Sequence, residues 1–208
     1  MTNWNSAVYN SNTIFTTPLP DLEFCKQFDK NCSVLDAGCG YGRTLSYLQK
    51  HGFLNLTGFD ISESYVRQAK SVIPSANIFV SDLANFKIDQ KFDLILLMGV
   101  IEYLVSNNEF ERLLKNISIH LSKDGKVLLE TFIIDTRRNW KEYILGFLST
   151  LEIGFFVNSK GYPCRHRSVE SLRKLLSEHF IIESDQPCTF TTWSGNTCKG
   201  QRFILHNK

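Results

Sequence analysis

Between Val34 and Gly42 the chain reads VLDAGCGYG, an apolar run that ends in an acid and then breaks into glycine at every second position. A short apolar run closed by glycine is a buried strand. The residues that follow, GRTLSYLQKHG, space Leu45 and Leu48 as a helix that ends at Gly52. A strand followed by a bare turn and a helix confines the chain to a fold of parallel strands joined by right-handed crossovers. Glycines at such a turn let a ligand approach the backbone and meet the helix's first N–H groups.

The pattern repeats downstream. NLTGFD reads as a second strand, and SESYVRQAKSVIP as a helix with Ser62 as its cap and Pro74 as its stop. NIFVSD reads as a third strand. KFDLILLMG reads as a fourth, apolar almost throughout, as a strand covered on both faces must be. NNEFERLLKNISIHLSKDG is an amphipathic helix with a turn at Asp124-Gly125, and KVLLETFI is a fifth strand. In the tail, Ser168 caps the helix VESLRKLLSEHF. IIESDQPCTFTTW and CKGQRFILHNK then form an antiparallel hairpin turned at Ser194-Gly195-Asn196.

The expected fold is α/β: a Rossmann-like, seven-stranded, mostly parallel sheet with helices on both faces and a C-terminal antiparallel hairpin at one edge. A length of 208 residues suits one domain, 1–208. Within it, 1–31 forms an N-terminal leader. Residues 132–167 form a lid-like insertion rich in aromatics, without clear strand character, of which NWKEYILGFLSTLEIGFF can be partly helical.

The formal net charge of +2 gives no electrostatic case for nucleic acid or membrane. The apolar stretches Phe92 to Val100 and Val127 to Ile134 are too short to span a bilayer, and the opening MTNWNSAVYN lacks the layout of a secretion signal. A cytoplasmic protein is expected. Six cysteines without a C-x-x-C pair argue against structural zinc, and no metal is expected. A gathering of Cys164, Cys188 and Cys198 around a soft ligand is the alternative to six packed, reduced thiols.

The glycine loop alone leaves its ligand open. Gly38 and Gly40 match a dinucleotide loop, but Arg43 stands where the third glycine belongs, and a Walker lysine is missing. The acids Asp36, Asp60 and Asp82 close the first three strands in succession, on the edge where open α/β sheets bind ligands.

VLDAGCGYGRTL, LTGFDIS, NIFVSDL, FDLILLMGVIEYL and LSKDGKVLLE, in that order, resemble the motif series of class I S-adenosylmethionine-dependent methyltransferases. The resemblance covers roughly Cys32 to Thr131 and the last hairpin. It implies S-adenosylmethionine as cofactor, with Asp36, Gly38, Cys39 and Gly40 around its methionine part and Asp60 on the ribose diol. Ile61 would pack on the adenine, Asp82 would accept from the adenine amino group, and Leu83 would offer a backbone N–H. Met98 and Gly99 would pass beneath the transferring methyl. Arg43 is a candidate for the cofactor carboxylate or a solvent-facing helix residue. Tyr9 and Trp4 of the leader are candidates to fold over the cofactor. Asp36 and Asp60 also suit plain helix capping.

Methyl transfer is an in-line displacement that needs positioning and dryness, and a base only when the nucleophile carries a proton. Candidates on the acceptor side follow the fourth and fifth strands: Glu102 and Tyr103, then Asp135, Arg137 and Arg138. His166 is the candidate base, against the plainer reading of a solvated turn residue. MGVIEY stands in place of the DPPY or NPPF of amino-methylating nucleic-acid enzymes, which resembles small-molecule methyltransferases. A small-molecule acceptor is therefore expected. An RNA or tRNA acceptor, a non-catalytic cofactor-binding partner protein and a cysteine-held metalloid acceptor are the alternatives.

Overall fold

The computed structural model describes residues 22–158, 161–191 and 197–208, apart from the side chains of Arg138 and Thr191. Trp4, Tyr9 and the turn at Ser194-Gly195-Asn196 lie outside the described residues. In chain order the elements are β1 (Ser33–Ala37), α1 (Arg43–Lys50), β2 (Asn55–Asp60), α2 (Glu63–Val72), β3 (Asn77–Val80) and β4 (Phe92–Met98). Then follow α3 (Asn107–His120), β5 (Leu121–Phe132), α4 (Thr136–Thr150), β6 (Phe155–Val157), β7 (Pro163–Arg165), α5 (Val169–His179), β8 (Phe180–Thr191) and β9 (Thr197–Asn207).

Seven strands form one sheet in the order β3-β2-β1-β4-β5-β9-β8, and β6 and β7 form a separate hairpin. The first five are parallel, and β9 and β8 run antiparallel beside β5. From β1 the chain builds outward to β2 and β3, then returns to start β4 on the other side. The crevice at the carboxyl ends of β1 and β4 is therefore the topological switch point, where such sheets take ligands.

The all-apolar fourth strand follows from its neighbours. Leu94 and Leu96 face α1 and α2 with Leu45, Leu48, Val66 and Ala69, while Ile95 and Leu97 face Phe110, Leu113 and Ile117 of α3. Alternate side chains of a strand point to opposite faces, so two covered faces demand an unbroken apolar run. Ser62 and Ser168 cap α2 and α5 as expected, accepting from Tyr65 N and Ser171 N. Gly52 takes φ +89° just past α1.

Two segments differ from expectation. β5 begins at Leu121, directly after α3, instead of after the Asp124-Gly125 turn. The turn survives as an excursion within the strand: Phe92 pairs with Leu121 but Leu94 pairs with Lys126. Residues 132–167 contain the helix α4, but they also form the β6–β7 hairpin, pairing Phe155 with Arg165 and Val157 with Pro163. Three-residue strands are too short to show a period. Among the described residues, no helix is long and apolar enough to cross a membrane.

Candidate functional site

The glycine loop is tied down from one side and open on the other. Gly38 N and Cys39 N both donate to Phe59 O of β2, at 2.9 and 2.8 Å. Gly38 holds φ +82°, and a Cβ there would fall 2.6 Å from Val100 Cγ1, so glycine is required twice over. At Gly40 a Cβ would meet nothing within 4 Å. The middle of the loop thus presents bare backbone to open space.

Two acids flank that opening. Asp60 bridges the loop to α2: its Oδ2 accepts from Gly40 N at 2.9 Å and its Oδ1 from Ser62 N at 2.9 Å. Each oxygen keeps a second lone pair for a further donor. Asp36 is only 2% exposed, and its Oδ2 has no partner among the described residues. Burial, reinforced by the Asp60 charge and opposed by Arg43, pushes the Asp36 carboxyl up to about 7. Arg43 opens α1 beside it. Asp60 is raised too, by burial, against backbone N–H bonds that favour its charge.

Ile61 follows Asp60 and is 42% exposed, an apolar side chain left open next to the loop's ligand face. At the end of β3, Asp82 Oδ1 accepts from Ala84 N at 3.0 Å and Asn85 Nδ2 at 2.6 Å, which closes a local turn. Leu83 beside it is partly buried against the main core. After β4, Met98 is half-buried, and Gly99 takes φ +67° while its N donates to Glu130 O at 2.8 Å.

Glu102 lies directly over this turn: a Cβ on Gly99 would stand 3.5 Å from Glu102 Oε1. Its Oε2 accepts from Thr131 Oγ1 at 3.4 Å. Burial pushes its carboxyl up to about 7, against the Thr131 bond and the Arg167 charge. Tyr103 next to it is 39% exposed. Arg167 holds this 3-10 turn, Ile101–Tyr103, in place by donating to Ile101 O at 3.3 Å and Leu104 O at 2.7 Å. Its guanidinium also lies 4.7 Å over the Phe110 ring.

His166 is buried, not solvated. It stacks on Phe132 and meets Phe156 edge-on, and its Nδ1 lies 2.7 Å from Tyr143 Oη. Burial holds the imidazole down to about 4, so the ring is neutral at physiological pH. Tyr143 Oη accepts from Asp135 N and Asn139 Nδ2, both at 3.5 Å. The hydroxyl's own proton is then left for His166 Nδ1, which leaves the ring proton on Nε2. Nothing local in the sequence signals Tyr143 as a partner for His166, 23 residues away.

Asp135 caps α4, accepting from Arg137 N at 3.2 Å and pairing with Arg137 Nε at 3.3 Å. Both residues line a cavity of about 670 Å³ with Thr189, Thr197, Cys198 and Lys199, beside the carboxyl end of β5 and away from the glycine loop. The side chain of Arg138 lies outside the described residues. All six cysteines are described and none is in a disulfide. Cys164, Cys188 and Cys198 do not converge: among the described residues the one such group within ligating distance is Glu111, Glu178 and His179, on the surface of α3 and α5.

Residues 34–125 match the family model described as a methyltransferase domain. The chain is similar to a Streptomyces venezuelae dTDP-3-amino-3,4,6-trideoxy-alpha-D-glucopyranose N,N-dimethyltransferase, 28% identical over 47% of this chain and 41% of that one. It is also similar to a Campylobacter jejuni tRNA U34 carboxymethyltransferase, 30% identical over 55% of this chain and 40% of that one. The matches span between 37 and 66% of the first five curated relatives' own length. A SAM-dependent methyltransferase from Methanosarcina mazei superposes with a TM-score of 0.82, at 22% identity, over 91% of this chain and 98% of that one. Residues 34–125 thus match a methyltransferase domain, and the chain around them shares the fold of that SAM-dependent methyltransferase.

Proposed function

We propose that this protein transfers a methyl group from S-adenosylmethionine to a small-molecule acceptor. The observation that carries the reading is the loop at Gly40: open backbone, with the buried, unpartnered Asp36 Oδ2 on one side and the Asp60 carboxylate on the other. An orphaned buried acceptor is costly unless a ligand satisfies it, and the ammonium of a methionine moiety is a suitable donor. Asp60 has lone pairs left for two ribose hydroxyls, and the open Ile61 offers an apolar face for adenine. Arg43 suits the carboxylate of the same moiety, Gly38 and Cys39 the backbone around it, and Leu83 N a ring acceptor. Asp82 keeps Oδ2 for an amino group.

S-adenosylmethionine, when bound, supplies a methyl activated by its sulfonium. The chain's own task is then to hold the nucleophile in line and to keep water out. Met98 and Gly99 would form the floor beneath the transfer. Glu102, just above Gly99, would take the proton that the nucleophile releases, since a carboxyl brought to about 7 accepts a proton near neutral pH. His166, neutral with its proton on Nε2, would donate a hydrogen bond to the acceptor, and Tyr103 would line the entrance.

The cations on this side support a small acceptor over a phosphate backbone. Arg137 is paired with Asp135, Arg165 with Glu152, and Arg167 is committed to backbone carbonyls. That is a thin footprint for RNA. The test is methyl transfer from radiolabelled cofactor to a panel of small amines, carboxylates and phenols, with total tRNA alongside. Label in at least one small-molecule class and none in tRNA is expected; label in tRNA alone contradicts the reading.

A further inference from the structure

His166 is anchored at one edge of its ring and open at the other. Nδ1 lies 2.7 Å from Tyr143 Oη, inside the fold. Nε2, on the far edge, has no hydrogen-bond partner among the described residues. It is not sealed in either. Among the described residues, the buried side-chain nitrogens and oxygens without a partner are Asp36 Oδ2 and Arg167 Nε. Nε2 therefore reaches open space, beside the half-buried rings of Phe132 and Phe156.

A neutral imidazole carries its proton on either nitrogen, and the bond made by one nitrogen decides the state of the other. Tyr143 makes that bond. Its oxygen already faces two N–H donors, Asp135 N and Asn139 Nδ2. The hydroxyl proton is free to go to Nδ1, which then has to be bare. Tyr143 is itself held in place: it is 8% exposed and meets Phe156 edge-on at 5.7 Å. Burial of the imidazole favours the same neutral ring, holding it down to about 4. The ring is thus set from α4, 23 residues away, and not from the segment that carries it.

We infer that Tyr143 is a positioning residue: by donating to Nδ1 it holds His166 neutral, with a fixed Nε2–H donor turned to the acceptor side. This rests on the small-molecule reading above and narrows it. A ring that gives a hydrogen bond and takes no proton selects an acceptor with a lone pair at that place. A carbonyl, a carboxylate or a ring nitrogen qualifies, and an ammonium does not.

The experiment is long-range proton–nitrogen NMR of the full chain with isotope-labelled histidine, at about pH 7.5, where a neutral ring shows its tautomer. S-adenosylhomocysteine is added to the same samples. The signal of His166 is the one of five histidine signals that His166→Gln removes. The wild type is expected to show one tautomer, protonated on Nε2. Tyr143→Phe keeps the ring and loses the hydroxyl, so its two nitrogen shifts should move toward each other, while S-adenosylhomocysteine affinity stays within about twofold. On the acceptor class that takes label, Tyr143→Phe is expected to slow transfer roughly three- to tenfold. His166→Gln, whose amide N–H can stand in for Nε2–H, should keep more activity than His166→Leu. A wild-type His166 protonated on Nδ1, or a Tyr143→Phe variant with the wild-type tautomer or the wild-type rate, overturns the inference. A wild type with the expected tautomer that binds no S-adenosylhomocysteine, or labels no small molecule, contradicts the functional reading instead, and with it the role of the ring on the acceptor side.

Discussion

Asp36 and Asp60 end neighbouring strands, yet the structure gives them different lives. Asp60 ties Gly40 to Ser62, while Asp36 waits beneath the loop with an oxygen unmatched. Asp60→Ala is therefore expected to weaken S-adenosylhomocysteine binding by tens-fold or more, on the order of 2–3 kcal/mol, and to lower the melting temperature by loosening the loop. Asp60→Asn keeps one acceptor oxygen and should lose less of both. Calorimetric titration together with a thermal melt separates the two effects. Asp36, pushed up to about 7, must ionise to meet an ammonium, so cofactor affinity should fall by up to about tenfold per pH unit below 7. Titrations at about pH 6, 7 and 8 check this, and Asp36→Asn should flatten the profile.

The same shifts set the stability of the ligand-free protein. Asp36 and Glu102 are raised from 3.8 and 4.5 to about 7, so the stability they contribute is full below their ordinary values and lost as pH climbs through 7. His166, lowered from 6.5 to about 4, works in the opposite direction, but only below 6.5. Above 6.5 the acids act alone, and the melting temperature should fall by several degrees between pH 6.5 and about 8. A flat or rising melt over that window contradicts these assignments. At this scale the acids were legible because each ends a predicted strand. The second task of Asp60 was not, since Gly40 lies 20 residues away along the chain. Nor were Arg167 on Ile101 O and Tyr143 on His166, because such pairs exist only once the chain is folded.

At the scale of elements, the 3-10 turn that carries Glu102 is held by one side chain from far along the sequence. Arg167→Met keeps the bulk but removes the donor to Leu104 O and leaves Ile101 O with only its bond from Leu104 N. A loss on the order of 2–4 kcal/mol is expected, read as a drop in melting temperature of roughly 5–15 °C. A drop of only a degree or so would mean that the turn stands unaided. Most elements could be read from period and punctuation, because β1, β2 and β4 are short apolar runs bounded by glycine or acids. The capping box of α3, Ser106 with Glu109, was also written in the sequence as S-x-x-E; the reading started that helix at Asn107, where the structure does, but did not name its cap. The β6–β7 hairpin was not legible. Its strands are three residues each, and it is held by the packing of α4 on Phe155, which no local pattern records.

At the scale of the whole molecule, strand order decides where chemistry can happen. β1 and β4 lie side by side with their chain connections leaving in opposite directions, which opens the crevice above Gly38 to Gly40 and brings Glu102 over Gly99. The alternation of strands and helices foretold the parallel part of that sheet, and the two strands of the tail foretold its antiparallel edge. Residues 132–167 lie outside the matched domain, and an acceptor has to be found by assay.

The most direct measurement is calorimetric titration of the full chain with S-adenosylhomocysteine, and with NADH as the control. Micromolar binding of the first and none of the second is the expected result. Binding of NADH with no response to S-adenosylhomocysteine would mean that the carboxylates around Gly40 serve a dinucleotide, and would contradict the account at its centre.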